Sequence, residues 1–281
     1  MTGHSARVGF ETRRPFTGDL SARSTAYALS VLNAMYRWLI EQRYALANPF
    51  AGVKVRGGRP PQIDTTRAFT EHEWKLVRVV ADGLEWSYGW SKPAAQRLRF
   101  MLDFAYGTGL RISEFAGLQL GAIEADAHGG AWIRVLGKGH RVGRVVLPPL
   151  ASAALDRYLV QRGLPVTPSK WRPSTRLIGS LSDDGNGISA WRLWRVMKRF
   201  FATAAEVVGD ANPALAEKLL TATPHWTRHT HATHLLEGGA ELTTVRDNLR
   251  HASLATTSMY LHADDVRRAR QVADRFAAPR A

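Results

Sequence analysis

Residues 224–260 read PHWTRHTHATHLLEGGAELTTVRDNLRHASLATTSMY, and the reading of this stretch decides both the fold and the chemistry. Pro224 suits the start of a helix and Gly238-Gly239 its end, because proline is pre-set for a first turn and glycine tolerates a left-handed cap. His225 and Arg228 then lie three apart on the first turn and share one face. An imidazole and a guanidinium aimed at one object suit a phosphate, since the planar guanidinium matches a doubly charged oxyanion. A second helix is expected over 242–249, followed by His251 and by a short helix that ends in Tyr260.

The histidines also allow a metal reading, because His225 and His229 stand four apart on a helix and His231 and His234 follow. A zinc-hydrolase pattern needs Glu directly after the first His, and Trp226 stands there. The segment offers no carboxylate before Glu237 to complete a ligand set. A serine esterase would need a nucleophile elbow, which the chain lacks. No metal and no cofactor are therefore expected.

Composition points to the partner. The chain of 281 residues carries a formal net charge of +14 with a pI near 10.7, a balance that favours a polyanion, nucleic acid before an anionic membrane. It contains no cysteine, which excludes disulfides, thiolate metal sites and a cysteine nucleophile. No apolar leader and no run of transmembrane length is visible, so the expectation is a soluble protein of the cytoplasm, associated with the nucleoid.

Upstream, residues 1–20 show no periodicity, and a helix runs from Ser24 to about Gln42 with Ala28, Val31, Leu32, Met35, Trp38 and Leu39 on one face. The basic, Gly/Pro-rich stretch 54–66 (KVRGGRPPQIDTT) reads as a linker. Thr70 and Glu73 form a capping box that opens a helix ending near Gly83, and a Trp-rich loop over 85–91 leads to the next helix at Pro93. Then comes Gly107-Thr108-Gly109-Leu110-Arg111-Ile112-Ser113-Glu114, a glycine turn that delivers Arg111 onto a helix start. Residues 131–136 and 144–147 are strand-like and flank a basic, Gly-punctuated loop containing Lys138, which reads as a hairpin. A helix over 150–161 and a long polar loop over 163–187 precede the most basic helix. That helix starts at Ser189, with an expected core stripe of Trp194, Met197, Phe201, Ala204 and Val208 and with Arg192, Arg195 and Arg199 on another face. These three arginines are candidate DNA contacts. Beyond Tyr260, Val266, Ala269, Ala273 and Phe276 recur at helical spacing.

Together these motifs resemble the tyrosine recombinases, the phage-integrase family. The family's His-x-x-Arg stands as His225-Trp226-Thr227-Arg228, its Leu-Gly-His as Leu249-Arg250-His251, and its nucleophile as Tyr260 nine residues after that histidine. Arg250 replaces the usual Gly, so a left-handed turn there would be strained or built differently. The resemblance implies a mainly α fold with a small antiparallel β-sheet (α+β). It further implies a partial helical core-binding region over 1–53, the linker 54–66, a catalytic domain over 67–262 and a tail helix over 263–281. By position, Arg111, Lys138, His225, Arg228, His251 and Tyr260 become the catalytic set, and Glu114 the acidic residue that holds the site together. The implied activity is site-specific cleavage and rejoining of double-stranded DNA through a 3′-phosphotyrosyl bond, by a homotetramer on paired sites. A non-catalytic DNA-binding relative and a type IB topoisomerase are the alternatives.

If the positive charge is spent on phosphates, DNA affinity falls steeply with salt. With roughly eight phosphate contacts, log Kd against log salt has a slope of magnitude about 7 in a filter-binding titration. A flat response would show that the basic surface is not a DNA footprint.

Overall fold

The computed structural model describes residues 20–54, 67–137, 142–182 and 186–250, and the chain divides into two units, 1–62 and 63–281. In the first, helix α1 (Ala22–Glu41) starts at Ser21, whose hydroxyl accepts the Ser24 N–H at 3.1 Å. Asn48 returns the chain to the helix by donating to the Asn33 side-chain carbonyl at 2.8 Å, and Phe50 meets Tyr36 edge-on at 5.5 Å. None of this unit's described residues is buried, and Val31, Met35 and Trp38 of the expected apolar face are exposed.

The second unit opens with α2 (Glu71–Asp82), where the capping box forms: the Thr70 hydroxyl accepts the Glu73 N–H and the Glu73 carboxylate accepts the Thr70 N–H. The stretch expected as a loop over 85–91 contains a short helix, α3 (Leu84–Ser87), pinned by the fully buried Leu84. Helix α4 (Lys92–Thr108) is buried nearly all round by Leu98, Met101, Leu102, Phe104 and Ala105, and packs chiefly against α2 and the later helices α6 and α9. It ends at Gly109, whose φ of +64° supplies a left-handed cap. After α5 (Ile112–Gly117), strands β1 (Ile123–Ala125), β2 (Ala131–Leu136) and β3 (Val142–Val146) form an antiparallel sheet in that order. Ile133 pairs with Val145 and both point into the core, while Leu136 and Val142 at the loop end of the hairpin are exposed. Strand β1 was not foreseen: three residues are too few to show a period of two.

Helices α6 (Pro149–Gln161), α7 (Ala190–Val208), α8 (Pro213–Thr221), α9 (His225–Glu237) and α10 (Leu242–Leu249) complete the unit. Helix α8 lay outside the sequence reading, although its start is signposted by Asn212, which caps the Leu215 N–H at 3.0 Å, and by Pro213 in the first turn. The buried stripe of α7 runs through Leu193, Met197, Phe200, Phe201, Ala204 and Val208. Trp194, expected in it, is 41% exposed because the stripe is rotated toward Leu193 and Phe200. The outcome is a mostly helical α+β domain with one small antiparallel sheet. Among the described residues no helix is long and apolar enough to cross a membrane.

Aromatic stacking joins the layers. Phe100 lies flat on Tyr158 of α6 at 4.4 Å, and Phe104 flat on Phe115 of α5 at 5.0 Å, so the short α5 rests on the central helix. Phe104 is fully buried. Phe104→Ala is expected to lower stability by about 3–5 kcal/mol, read as a fall in the urea midpoint. An unchanged midpoint would mean that α5 is supported elsewhere.

Candidate active site

Helix α9 begins at Pro224, and its first turn places the imidazole of His225 and the guanidinium of Arg228 on one side. Arg228 is 2% exposed, a costly location for a permanent cation unless its donors are met. Two of them are met by backbone: Nη1 donates to the carbonyl of Gly109 at 2.6 Å and Nη2 to that of Leu249 at 2.5 Å. One side chain thus joins the cap of α4, the end of α10 and the start of α9. Gly109 is required twice over, by its positive φ and because a Cβ would lie 2.6 Å from Cδ2 of His231.

Two residues beyond Gly109, Arg111 is the N-cap of α5. Glu114 holds it by two contacts, accepting the Arg111 backbone N–H at 2.9 Å and pairing with its guanidinium at 2.9 Å. The Arg111 side chain remains 42% exposed while that of Glu114 is 8% exposed, so the arginine presents itself to solvent from a buried carboxylate mount. Burial alone would raise the Glu114 pKa. The hydrogen bonds from Arg111 and the charge of Arg250 outweigh it and hold the carboxyl below its usual range.

His225 sits where these elements meet. Its pKa is lowered first by partial desolvation, then by the charges of Arg228, Arg111 and Arg67. Desolvation and the three cations together keep the imidazole neutral at neutral pH, the form with a nitrogen lone pair open to a proton. Its ring also stands perpendicular to that of His229 at 4.5 Å. Arg67 belongs to this set and was missed in the sequence, where nothing local distinguishes it.

Behind this face lies a buried polar chain. His231 Nδ1 donates to the Tyr106 carbonyl at 2.7 Å, and its Nε2 accepts from Asn248 Nδ2 at 3.1 Å. The Asn248 side-chain oxygen accepts the Val146 N–H at 3.0 Å, so α9, α10 and the edge strand β3 are linked in series. His234 uses Nδ1 to accept the Tyr106 hydroxyl at 2.8 Å and Nε2 to donate to the Phe69 carbonyl at 2.9 Å. Both nitrogens of both histidines are engaged, which removes them from any ligand set. Among the described residues no three His, Asp or Glu side chains are grouped to hold a metal ion. Asn248 too was missed, because its partners are distant in sequence.

Of the six catalytic candidates, Arg111, His225 and Arg228 come together, although up to 117 positions separate them. Lys138, His251 and Tyr260 lie outside the described residues, as does the tail helix. Arg250 ends α10 at φ 53°, ψ 47°, so the turn keeps the left-handed form although no glycine is present. That conformation costs a side-chain-bearing residue about 1–2 kcal/mol. Of the α7 arginines, Arg195 stacks on Trp191 and Arg199 on Trp90, each at 4.7 Å. They form a cation–indole surface, and the charges reaching His225 are not theirs.

A mainly helical domain thus gathers an exposed arginine, a buried arginine and a neutral histidine at one place, a set whose charge suits an anionic ligand. Residues 80–267 match the phage integrase family, and the chain belongs to it. It is 32% identical over 245 residues to the tyrosine recombinase XerD of Bifidobacterium longum, covering 86% of this chain and 72% of that protein. It is 33% identical over 267 residues to the tyrosine recombinase XerC of Yersinia pestis, covering 94% of this chain and 76% of the relative. Among solved structures, the Tn1549 transposon integrase in complex with transposon right end DNA superposes with a TM-score of 0.60 at 19% identity, over 92% of this chain and 81% of that one. The XerH site-specific recombinase on its difH substrate gives 0.54 at 22% identity, over 73% of this chain and 52% of the other. At these identities the solved structures establish the fold. With its family, the chain is a site-specific recombinase of the tyrosine type, an enzyme that cleaves and rejoins DNA.

Burial lowers the pKa of His231 to about 4, helped by the charge of Arg228 and opposed by the bond to Tyr106. In the unfolded chain the imidazole titrates near its ordinary value of about 6.5. Between these values the unfolded state binds the extra proton, so stability is full above pH about 6.5 and falls as the pH drops toward 4. The slope is about 1.4 kcal/mol per pH unit, or roughly 3 kcal/mol in all. His231→Phe is expected to remove this part of the acid slope in chemical denaturation series. An unchanged slope would place the acid sensitivity elsewhere.

Proposed function

We propose that the convergence of His225, Arg228 and Arg111 is the core of the cleavage site, with the scissile phosphate of double-stranded DNA at its centre. This convergence is the single observation that carries the reading. Arg111 and Arg228 contact the non-bridging oxygens and stabilise the extra negative charge of the pentacovalent phosphorane. Tyr260 attacks the phosphorus in line. The new bond joins its phenolic oxygen to phosphorus, and the bond from phosphorus to the 5′ oxygen breaks. A free phenol has a pKa of about 10, so the proton needs an acceptor, and the neutral imidazole of His225 is suited to that role. Lys138 protonates the departing 5′ oxygen, and His251 donates a hydrogen bond to the phosphate. The 3′-phosphotyrosyl ester conserves the energy of the broken bond, so rejoining needs no nucleotide cofactor.

The assembly is a homotetramer on paired sites, and the C-terminal stripe from Val266 to Phe276 is passed to a neighbouring subunit. The work is done on chromosomal or mobile DNA in the cytoplasm. Arg192, Arg195 and Arg199 contact the duplex from α7, the stacked guanidiniums of Arg195 and Arg199 being held ready by their indoles. The named relatives are recombinases and an integrase, which favours recombination over relaxation or binding alone.

The test is a denaturing gel of protein with a labelled, nicked duplex carrying the site that wild-type protein retains from a randomised pool. Wild type is expected to give a protease-sensitive covalent band without added metal. Tyr260→Phe is expected to bind DNA and give none, and Arg228→Ala to reduce cleavage at least about 100-fold. A band that persists in Tyr260→Phe would overturn the assignment of the nucleophile.

A further inference from the structure

Arg250 occupies a position that its backbone disfavours, at φ 53°, and its side chain then crosses to another element. The guanidinium reaches Glu114, with Nη2 at 2.5 Å from Oε2 and the side chain only 14% exposed. Its Nε and Nη2 are both buried without a hydrogen bond among the described residues, so the contact with Glu114 is an ion pair, held by charge and not by directed hydrogen bonding. To get there it passes directly over strand β3 at Gly143, where an added Cβ would stand 2.6 Å from the Arg250 Cδ. The φ of Gly143 is not in the left-handed region, so no backbone requirement accounts for this glycine; the side chain crossing it does. A strained backbone, a cleared path and a single buried carboxylate at its end are three separate features serving one contact.

That contact changes the charge of the site. Glu114 also binds Arg111, through the guanidinium on Oε1 and the backbone N–H on Oε2. A carboxylate paired with Arg111 alone would cancel the charge that the phosphate needs. With Arg250 on the second oxygen, two guanidiniums share one carboxylate and the trio keeps a net charge of +1. We propose that Arg250 is a positioning residue for the recombination reaction: it takes up the charge of Glu114, so that Arg111 stays oriented by the carboxylate yet electrostatically available to the scissile phosphate. Gly143 is the second member of the device, as the gap through which Arg250 reaches Glu114. The proposal rests on the reading of Arg111 as a phosphate-binding residue. It also ties the strand that follows the Lys138 loop to the helix bearing Arg111, because Arg250 lies against both.

The experiment measures single-turnover covalent adduct formation on the nicked duplex described above, with DNA affinity and thermal midpoint recorded for each variant. Arg250→Gly relieves the left-handed strain and removes the guanidinium. Gly143→Ala leaves Arg250 in the chain but displaces its side chain, and provides the test if Arg250→Gly fails to fold. Each is expected to slow adduct formation by about 10- to 100-fold, as for a misplaced catalytic group, with DNA affinity near that of wild type. Gly143→Ala added to Arg250→Gly should slow it no further, since there is no longer a side chain to displace. Glu114→Gln added to Arg250→Gly should recover part of the loss, because a neutral amide no longer cancels Arg111. A purely structural tie gives the opposite, a deeper defect in that double variant. The proposal is overturned if Arg250→Gly cleaves at the wild-type rate, if Gly143→Ala slows the Arg250→Gly protein by the same factor as it slows wild type, or if Glu114→Gln deepens the defect. Wild-type protein that forms no adduct on the same duplex overturns the recombination reading, and this proposal with it.

Discussion

A buried guanidinium donating to two backbone carbonyls is the constraint on which this domain depends. Arg228 cannot shed its charge, and removing it from water is unfavourable unless nearly every donor is met. The carbonyls of Gly109 and Leu249 meet two of them, and each is available only because a helix ends there. Helices α4, α9 and α10 therefore have to meet at one point for the charge to be tolerated at all. The same requirement brings Arg111 close, since it stands two residues after Gly109. One buried side chain thus ties together the ends of α4 and α10 and the start of α9, beside the residues proposed to bind the phosphate.

The electrostatics follow from that arrangement. Desolvation and then nearby cations keep His225 neutral, while the buried carboxylate of Glu114 is kept ionised by the hydrogen bonds and charges around it. The protonation states of His225 and Glu114 are thus set by their surroundings and not by residue type alone. The second layer, from Tyr106 through His231 and Asn248 to Val146, carries no charge in its neutral tautomers and links the sheet to the helices by directional bonds. A site with several arginines can tolerate such a layer because its members donate and accept without adding to the repulsion.

Local signals in the sequence were enough to find the pieces. The spacing of His225 and Arg228, the glycine turn before Arg111 and the capping box at Thr70 each depend on residues within one or two turns, and each forms as read. What the sequence hid was pairing over distance. Asn248 and His231 are ordinary polar residues until the fold puts them 3.1 Å apart, and Gly143 looks like any hairpin glycine until Arg250 passes over it. Short elements were hidden for another reason: β1 and α3 are stabilised by what they pack against, and three or four residues carry no periodicity to detect. Trp194 was misplaced because an aromatic at helical spacing fits a core stripe as well as its edge, and only packing against the neighbouring helices decides between the two.

The most direct test is a crystal structure of the protein on a nicked duplex with the cleavage step arrested. Arg111 and Arg228 should both lie within hydrogen-bonding distance of the non-bridging oxygens of one phosphate, with His225 beside the Tyr260 hydroxyl and Arg228 still bound to the carbonyls of Gly109 and Leu249. A scissile phosphate held elsewhere on the domain, or an Arg228 that has left both carbonyls to reach it, would contradict the view that one buried arginine organises both the fold and the catalysis.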